Sequence, residues 1–298
     1  MIEIAILGLD TSHPGEFADI LAADDRTTVA AVWDGGDVRD AAYCEQFCAE
    51  YDATQYDQPA AMRDEVDAAV VTTVDWDTHR ELAEPFLRDG TPVLIDKPIA
   101  GNVTDVEAIV DAARADDAPL FGGSAVPFHP RLEALETGVS NRTVYCAGYN
   151  HPFYYGTHLV DTLRRIVGAD WVAVDPNDAP GSSVDVTFAD GSYASLQFDG
   201  SAADGTFAFL VTDEHHTHSI AIESDADELR RMYRSFLDAF VECIESGRDD
   251  RVRLVDAATL LLGVQATLEI DEPVTPDDEA LADLEVDGSA FLEQYRSS

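Results

Sequence analysis

Lysine is nearly missing from this chain. Of 298 residues, 18 are Lys or Arg, and every one of these except Lys97 is arginine. Basic charge as a whole is scarce, because 59 acidic residues bring the formal net charge to −41. With the arginines scattered and no basic footprint, neither nucleic acid nor an anionic membrane is an expected partner. No apolar run approaches the roughly 18 residues of a membrane-spanning helix. The opening Met1-Ile2-Glu3-Ile4-Ala5-Ile6-Leu7 is a strand pattern without the basic n-region of a secretory signal. The expectation is a cytoplasmic protein. Cys44, Cys48, Cys146 and Cys243 lack C-x-x-C spacing, and Cys44 and Cys48 stand one helical turn apart, so neither zinc nor a disulfide is assigned.

What is present is acid and regular apolar patterning. The carboxylates are spread along the chain and no low-complexity block occurs, so acidity here does not signal disorder. At molar salt the Debye length falls to about 3 Å and screens such a surface from itself. This predicts a halophilic protein of a salt-rich interior.

The length suggests two domains. Over residues 1–122 short apolar runs alternate with helical patterns, the grammar of βαβ units. Strands are expected at residues 2–7, 28–33, 54–56, 68–73, 92–95 and 120–121. Helices are expected at 15–23, 40–51, 58–65, 79–89 and 103–115. The fold class that follows is α/β, with a doubly wound parallel sheet of the nucleotide-binding kind.

From residue 123 to 298 the pattern becomes that of an α+β domain with an open, mainly antiparallel sheet. Strands are predicted at 143–149, 184–188, 193–198, 207–212 and 218–223, with Asp190-Gly191 as a hairpin turn. Helices are predicted at 155–167, 227–246 and 254–269. Phe188, Phe198, Phe207 and Phe209 supply more aromatic surface than a solvated sheet face carries. Either all four enter the domain's own core or the sheet pairs with a second copy, and a homo-oligomer through this sheet is expected.

Lys97 sits in Asp96-Lys97-Pro98, directly after the apolar run Pro92-Val93-Leu94-Ile95. Strand ends of open α/β sheets are where ligand-handling groups stand. An ammonium is a point donor whose pKa shifts on burial, which arginine cannot imitate. Asp34, ending the second strand before Gly35-Gly36, stands where a ribose diol would be held, and its carboxylate would favour NAD over NADP.

With these motifs the layout resembles the Gfo/Idh/MocA oxidoreductases, over about residues 2–270. Asp96-Lys97-Pro98 is similar to that family's Glu-Lys-Pro, and Gly156-Thr157-His158-Leu159-Val160-Asp161 to the stretch that starts a helix of its second domain. His79, heading the helix after the fourth strand, and Phe128-His129-Pro130 at the crossover add to the likeness. The resemblance implies an N-terminal Rossmann domain that binds NAD(P). It also implies hydride transfer between the nicotinamide and a sugar, polyol or related hydroxy compound. By the same resemblance Lys97 supplies a cation for the developing alkoxide and His158 the base for the hydroxyl proton. Substrate contacts would come from Lys97, Tyr154, Tyr155, His158 and Asp161. Cofactor contacts would come from Gly8, Asp10, Thr11, Ser12, His13, Asp34 and Thr73, then from His79, Asp96, Lys97 and Pro98.

Two positions depart from the pattern. Tyr154 stands where relatives have an aspartate four residues before the histidine, and it could donate to substrate or share the proton relay as a third catalytic group. In the turn Gly8-Leu9-Asp10-Thr11-Ser12-His13, Asp10 replaces the second glycine of G-x-G-x-x-G. Asp10 could point away and cap the helix, while the Thr11 and Ser12 hydroxyls donate to phosphate and His13 adds charge. A non-catalytic protein with a degenerate dinucleotide site, binding or scaffolding a small ligand, is the alternative these departures leave open. Glu214-His215-His216-Thr217-His218 invites a metal, but adjacent strand residues alternate faces, so a polar loop between strands is the better account.

Overall fold

Six short apolar runs build the first sheet: β1 (Ile2–Leu7), β2 (Thr27–Trp33), β3 (Thr54–Gln55), β4 (Ala68–Val71), β5 (Val93–Asp96) and β6 (Leu120–Gly123). The computed structural model describes residues 1–200, 205–223 and 225–297. The strand order is β3-β2-β1-β4-β5-β6, the doubly wound order with its switch point beside β1. β1 pairs in parallel with β2 and β4, as β2 does with β3 and β4 with β5. Every residue of β4 and β5 is buried, which is why these strands read as unbroken apolar runs rather than alternating ones.

The crossovers are α1 (His13–Ala22), α2 (Ala41–Tyr51), α3 (His79–Leu87) and α4 (Val103–Ala115). Asp40 caps α2 by accepting from the Tyr43 N–H at 2.9 Å, and Asn102 caps α4 by accepting from Asp105 at 2.8 Å. The helix expected at 58–65 is only a 3₁₀ turn over Pro59–Met62. Met62 is its one buried side chain, so no apolar stripe exists to extend it.

The second sheet contains β7 (Thr143–Tyr149), β8 (Trp171–Pro176), β9 (Ser183–Phe188), β10 (Tyr193–Gly200), β11 (Phe207–Thr212) and β12 (Thr217–Ile222). Its order is β12-β11-β7-β10-β9-β8. It is mixed: β7 and β10 run parallel, and the other neighbours are antiparallel. β8 was not among the expected strands, because a register shift between Trp171 and Ala173 breaks the period-two alternation that marks a strand in sequence. α5 (Pro130–Glu133) and α6 (Gly156–Ile166) precede β8, and α6 lies on the inner face, with Leu159 against Gly148 and Phe198 against Gly156. Phe188, Phe198, Phe207 and Phe209 are all buried, so their aromatic surface belongs to this domain's own core. The outer face carries small and polar side chains together with Tyr145 and Leu210, 51% and 38% exposed.

Four helices complete the chain: α7 (Ala226–Ser246), α8 (Arg251–Ile270), α9 (Glu279–Ala282) and α10 (Gly288–Ser297). The chain divides into two units, one of Met1–Gly122, Phe236–Arg251 and Val286–Ser298, the other of Gly123–Ser235 and Val252–Glu285. Residues 236–251 and 286–297, grouped with the second domain by the sequence reading, therefore pack with the first. The cause is aromatic. Phe236 meets Phe17 at 5.9 Å and Phe121 at 5.1 Å between ring centroids, and Phe240 meets Phe121 at 5.8 Å. No helix among the described residues is long and apolar enough to cross a membrane.

Because Phe236 is fully buried between two rings, Phe236→Ala should cost about 3–5 kcal/mol. Denaturant unfolding would register this as a lower midpoint, and a loss below about 1 kcal/mol would contradict the packing described.

Candidate active site

The turns that follow β1, β2, β4 and β5 stand together at the C-terminal edge of the parallel sheet. Gly8 ends β1 with φ +96°, and a Cβ there would fall 2.6 Å from the Thr73 methyl and 2.9 Å from its backbone nitrogen. Only glycine permits that approach. The Thr72 hydroxyl, donating to the Gly8 carbonyl at 2.7 Å, closes the same seam.

Asp10 does not cap α1. Its carboxylate accepts from the Val74 N–H at 2.8 Å and is 3% exposed, so it ties the β1 turn to the turn after β4. Burial pushes this carboxyl up to about 6, against the Val74 hydrogen bond and with a further push from Asp34 and Asp37. Thr11 Oγ1 accepts from the His13 N–H at 3.1 Å, whereas Ser12 is exposed at the N-cap and makes no side-chain capping bond. Asp34 accepts from the Leu9 N–H at 2.9 Å and from the Gly36 N–H at 3.0 Å, so it braces two turns.

At the other side of the edge lies a charged cluster. His13 Nδ1 is 2.6 Å from Asp96 Oδ2. Burial alone would raise the Asp96 carboxyl; His13, by charge and hydrogen bond, and Lys97 hold it below its ordinary value. Lys97 is 4% exposed and follows β5 directly, ahead of a cis peptide to Pro98. Burial brings its ammonium down to about 7, opposed by Asp96. His79 is fully buried, its Nε2 3.0 Å from the Thr73 carbonyl and its Nδ1 3.2 Å from that of Ile99. Thr73 Oγ1 in turn pairs with Thr78 Oγ1 at 2.8 Å.

The remaining expected residues lie in the second unit around the start of α6. Ser124 organises them. Its hydroxyl is 2.7 Å from His158 Nδ1, and its N–H donates to Asp161 at 2.8 Å. Arg253 forms an ion pair with the other Asp161 oxygen, and Asp161 is 1% exposed. Gly123, at φ +76°, leaves room for that carboxylate, since a Cβ would fall 2.6 Å from Asp161 Oδ2. The His158 ring packs at 4.8 Å on Phe207 and 6.3 Å from Tyr155. Tyr154 is buried and meets Tyr155 edge-on at 5.1 Å. Ser124 and Arg253 carry no motif, and no signal in the sequence pointed to either.

The comparisons with known proteins bear on the fold that carries these residues. Residues 2–123 match the Gfo/Idh/MocA family, an oxidoreductase family with an NAD-binding Rossmann fold. Over that span the chain is similar to the Rossmann domain of this family. No curated protein matches the chain. Among solved structures, apo scyllo-inositol dehydrogenase from Lactobacillus casei superposes with a TM-score of 0.76 at 15% identity, covering 93% of this chain and 99% of its own. Myo-inositol 2-dehydrogenase from Lactobacillus plantarum gives 0.74 at 14% identity, covering 92% and 99%. GenD2 from gentamicin A biosynthesis, in complex with NAD, gives 0.74 at 17% identity, covering 92% and 96%. At such identities the likeness establishes the fold across both domains.

The tail adds an element to this Rossmann domain that the weak patterning after Asp277 did not foretell. Trp76 Nε1 donates to the Val286 carbonyl at 2.7 Å, Gly288 N–H donates to Asp77 at 2.9 Å, and Phe291 packs on Trp76 at 5.3 Å. At its far end Arg296 pairs with Asp37 at 2.9 Å. α10 thus bridges the turn after β4 and the turn after β2. The His215–His218 segment shows no built metal site: His216 and His218 are 5.8 Å apart by ring centroid, and no metal-holding group occurs among the described residues.

A raised Asp10 pKa means that the folded state binds this proton more tightly than the unfolded one. The group's contribution is full at low pH and is lost as pH rises through about 6. Asp10→Asn keeps an acceptor for Val74 and should stabilise the protein by about 2–3 kcal/mol at pH 8, with the gain vanishing below pH 4. Melting curves at both pH values test this, and a gain independent of pH would refute it.

Proposed function

We propose that the chain is an NAD(P)-dependent oxidoreductase, preferring NAD, that moves hydride between the nicotinamide and a hydroxyl-bearing carbon of a sugar, polyol or related compound. The observation that carries this reading is Lys97, the one lysine in the sequence, buried at the sheet's C-terminal edge beside an ionised aspartate. The residues present fit the cofactor. Gly8 keeps the tight turn a dinucleotide loop requires, and the Asp10 carboxylate is turned inward to accept from the Val74 N–H.

When bound, the nicotinamide would supply the hydride acceptor. The chain's own residues would do the rest. Gly8, Thr11, Ser12 and His13 would border the diphosphate, and Asp34 would hold the ribose diol and repel a 2′-phosphate. Thr73, His79, Asp96 and Pro98 shape the turns against which the cofactor would lie. Lys97 steadies the alkoxide, and His158 takes the hydroxyl proton, its ring held by Ser124 and Phe207. Tyr154 and Tyr155 contact substrate in this reading, and Asp161 acts with them through its place beside Ser124. The setting we propose is a salt-rich cytoplasm, with copies associating through the outer sheet face that bears Tyr145 and Leu210.

Calorimetric titration in about 2 M KCl, where charge is screened, should show NAD binding at least about tenfold tighter than NADP. Binding of neither would favour the non-catalytic alternative. Lys97→Met should lower turnover by at least about a hundredfold while changing NAD affinity little; undiminished turnover would remove Lys97 from the mechanism.

A further inference from the structure

His13 occupies the third glycine position of the turn and heads α1. Its ring stacks on Phe17 with centroids 5.5 Å apart and planes 26° from parallel, and its Nδ1 meets Asp96 at 2.6 Å. The stack and the short contact together leave the imidazole one orientation. Asp96 in turn directly precedes Lys97, whose charge acts on it along with that of His13. Asp96 and Lys97 are both buried, and the His13 side chain that meets Asp96 is 15% exposed. His79 on α3 also feels Asp96, but both of its ring nitrogens face backbone carbonyls.

Two bases therefore bear on one buried carboxylate. A single anion cannot neutralise two cations in a low-dielectric setting, so protonating one base disfavours protonating the other. We propose that His13 is a positioning residue for Lys97, acting through Asp96: it orients the shared carboxylate, and its own charge sets that of Lys97. The part this plays in turnover rests on the oxidoreductase reading above, whereas the coupling itself does not.

The composition supplies the probe. Because Lys97 is the only lysine, protein labelled with lysine carrying 13C at Cε gives one lysine side-chain signal, and its pH titration in cofactor-free protein reads Lys97 directly. The expected wild-type midpoint is about 7. His13→Gln removes the competing cation and should raise the midpoint by about one unit, while Asp96→Asn removes the counter-ion and should lower it by about one unit or more. His13→Asn serves as a second variant. Folded His13 variants that titrate at the wild-type midpoint would overturn the proposal. If neither variant folds, the wild type decides: the Lys97 signal must show an inflection at the midpoint of the His13 ring signal, and a single independent step refutes the coupling. In turnover at saturating cofactor, the kcat limb governed by Lys97 should move with its midpoint in His13→Gln. Failure of NAD to bind would overturn the dehydrogenase reading and leave this titration readable; an active enzyme with an unmoved Lys97 would overturn only the coupling.

Discussion

A carboxylate carried into the core at the end of a central strand stays ionised only if positive charge is set against it. Asp96 is that carboxylate. β5 is buried along its whole length, so the strand delivers Asp96 and then Lys97 into a region from which water is largely excluded. The requirement for a counter-charge explains why the helix after β1 begins with a histidine, and why that histidine is braced by an aromatic ring one turn later, at Phe17. It also ties the turn after β1 to the strand two places away in the sheet, with β4 between them.

The same turn shows how one set of constraints replaces another. In G-x-G-x-x-G the second and third glycines permit close approach of a phosphate and of the helix to the sheet. Here neither of those glycines is present, and only the first remains, at Gly8, where the neighbouring Thr73 leaves no room for a side chain. Asp10 and His13 hold the turn by side-chain bonds instead, one to Val74 after β4 and the other to Asp96. Asp34 adds a third tie, to Leu9. The turn is made rigid by its polar side chains, at the cost of placing carboxylates close to one another.

What was legible in the sequence was local. β1, β2, β4 and β5 announce themselves as apolar runs, and the helices between them by caps such as Asp40 and Asn102. Lys97 stood out through composition, and Asp96-Lys97-Pro98 and Gly156–Asp161 through spacing. The pairings were not legible, since periodicity carries no information about which distant residue answers a buried group. Asp96 finds its partner on α1, His158 on α6 finds Ser124 just after β6, and Asp161 finds Arg253 on α8. The same limit hid the parallel pairing of β7 with β10 and the return of α10 to the turns after β2 and β4.

The division of labour between arginine and lysine closes the argument about charge. Arg142, 1% exposed, donates to the carbonyls of Ile166 and Glu136, and Arg164, 5% exposed, donates to those of Val167 and Ala169. These are tasks for a planar fork that stays charged when buried, because several fixed donors satisfy backbone carbonyls that would otherwise lack partners. A lysine in either place would lose its proton or leave carbonyls unmet. At the end of β5 the setting is different: a single point charge stands beside one anion, and burial brings its pKa down to about 7. Arginine cannot titrate there, so a chain that has otherwise dispensed with lysine retains it at the one buried position where its burial and its neighbour Asp96 make its charge adjustable.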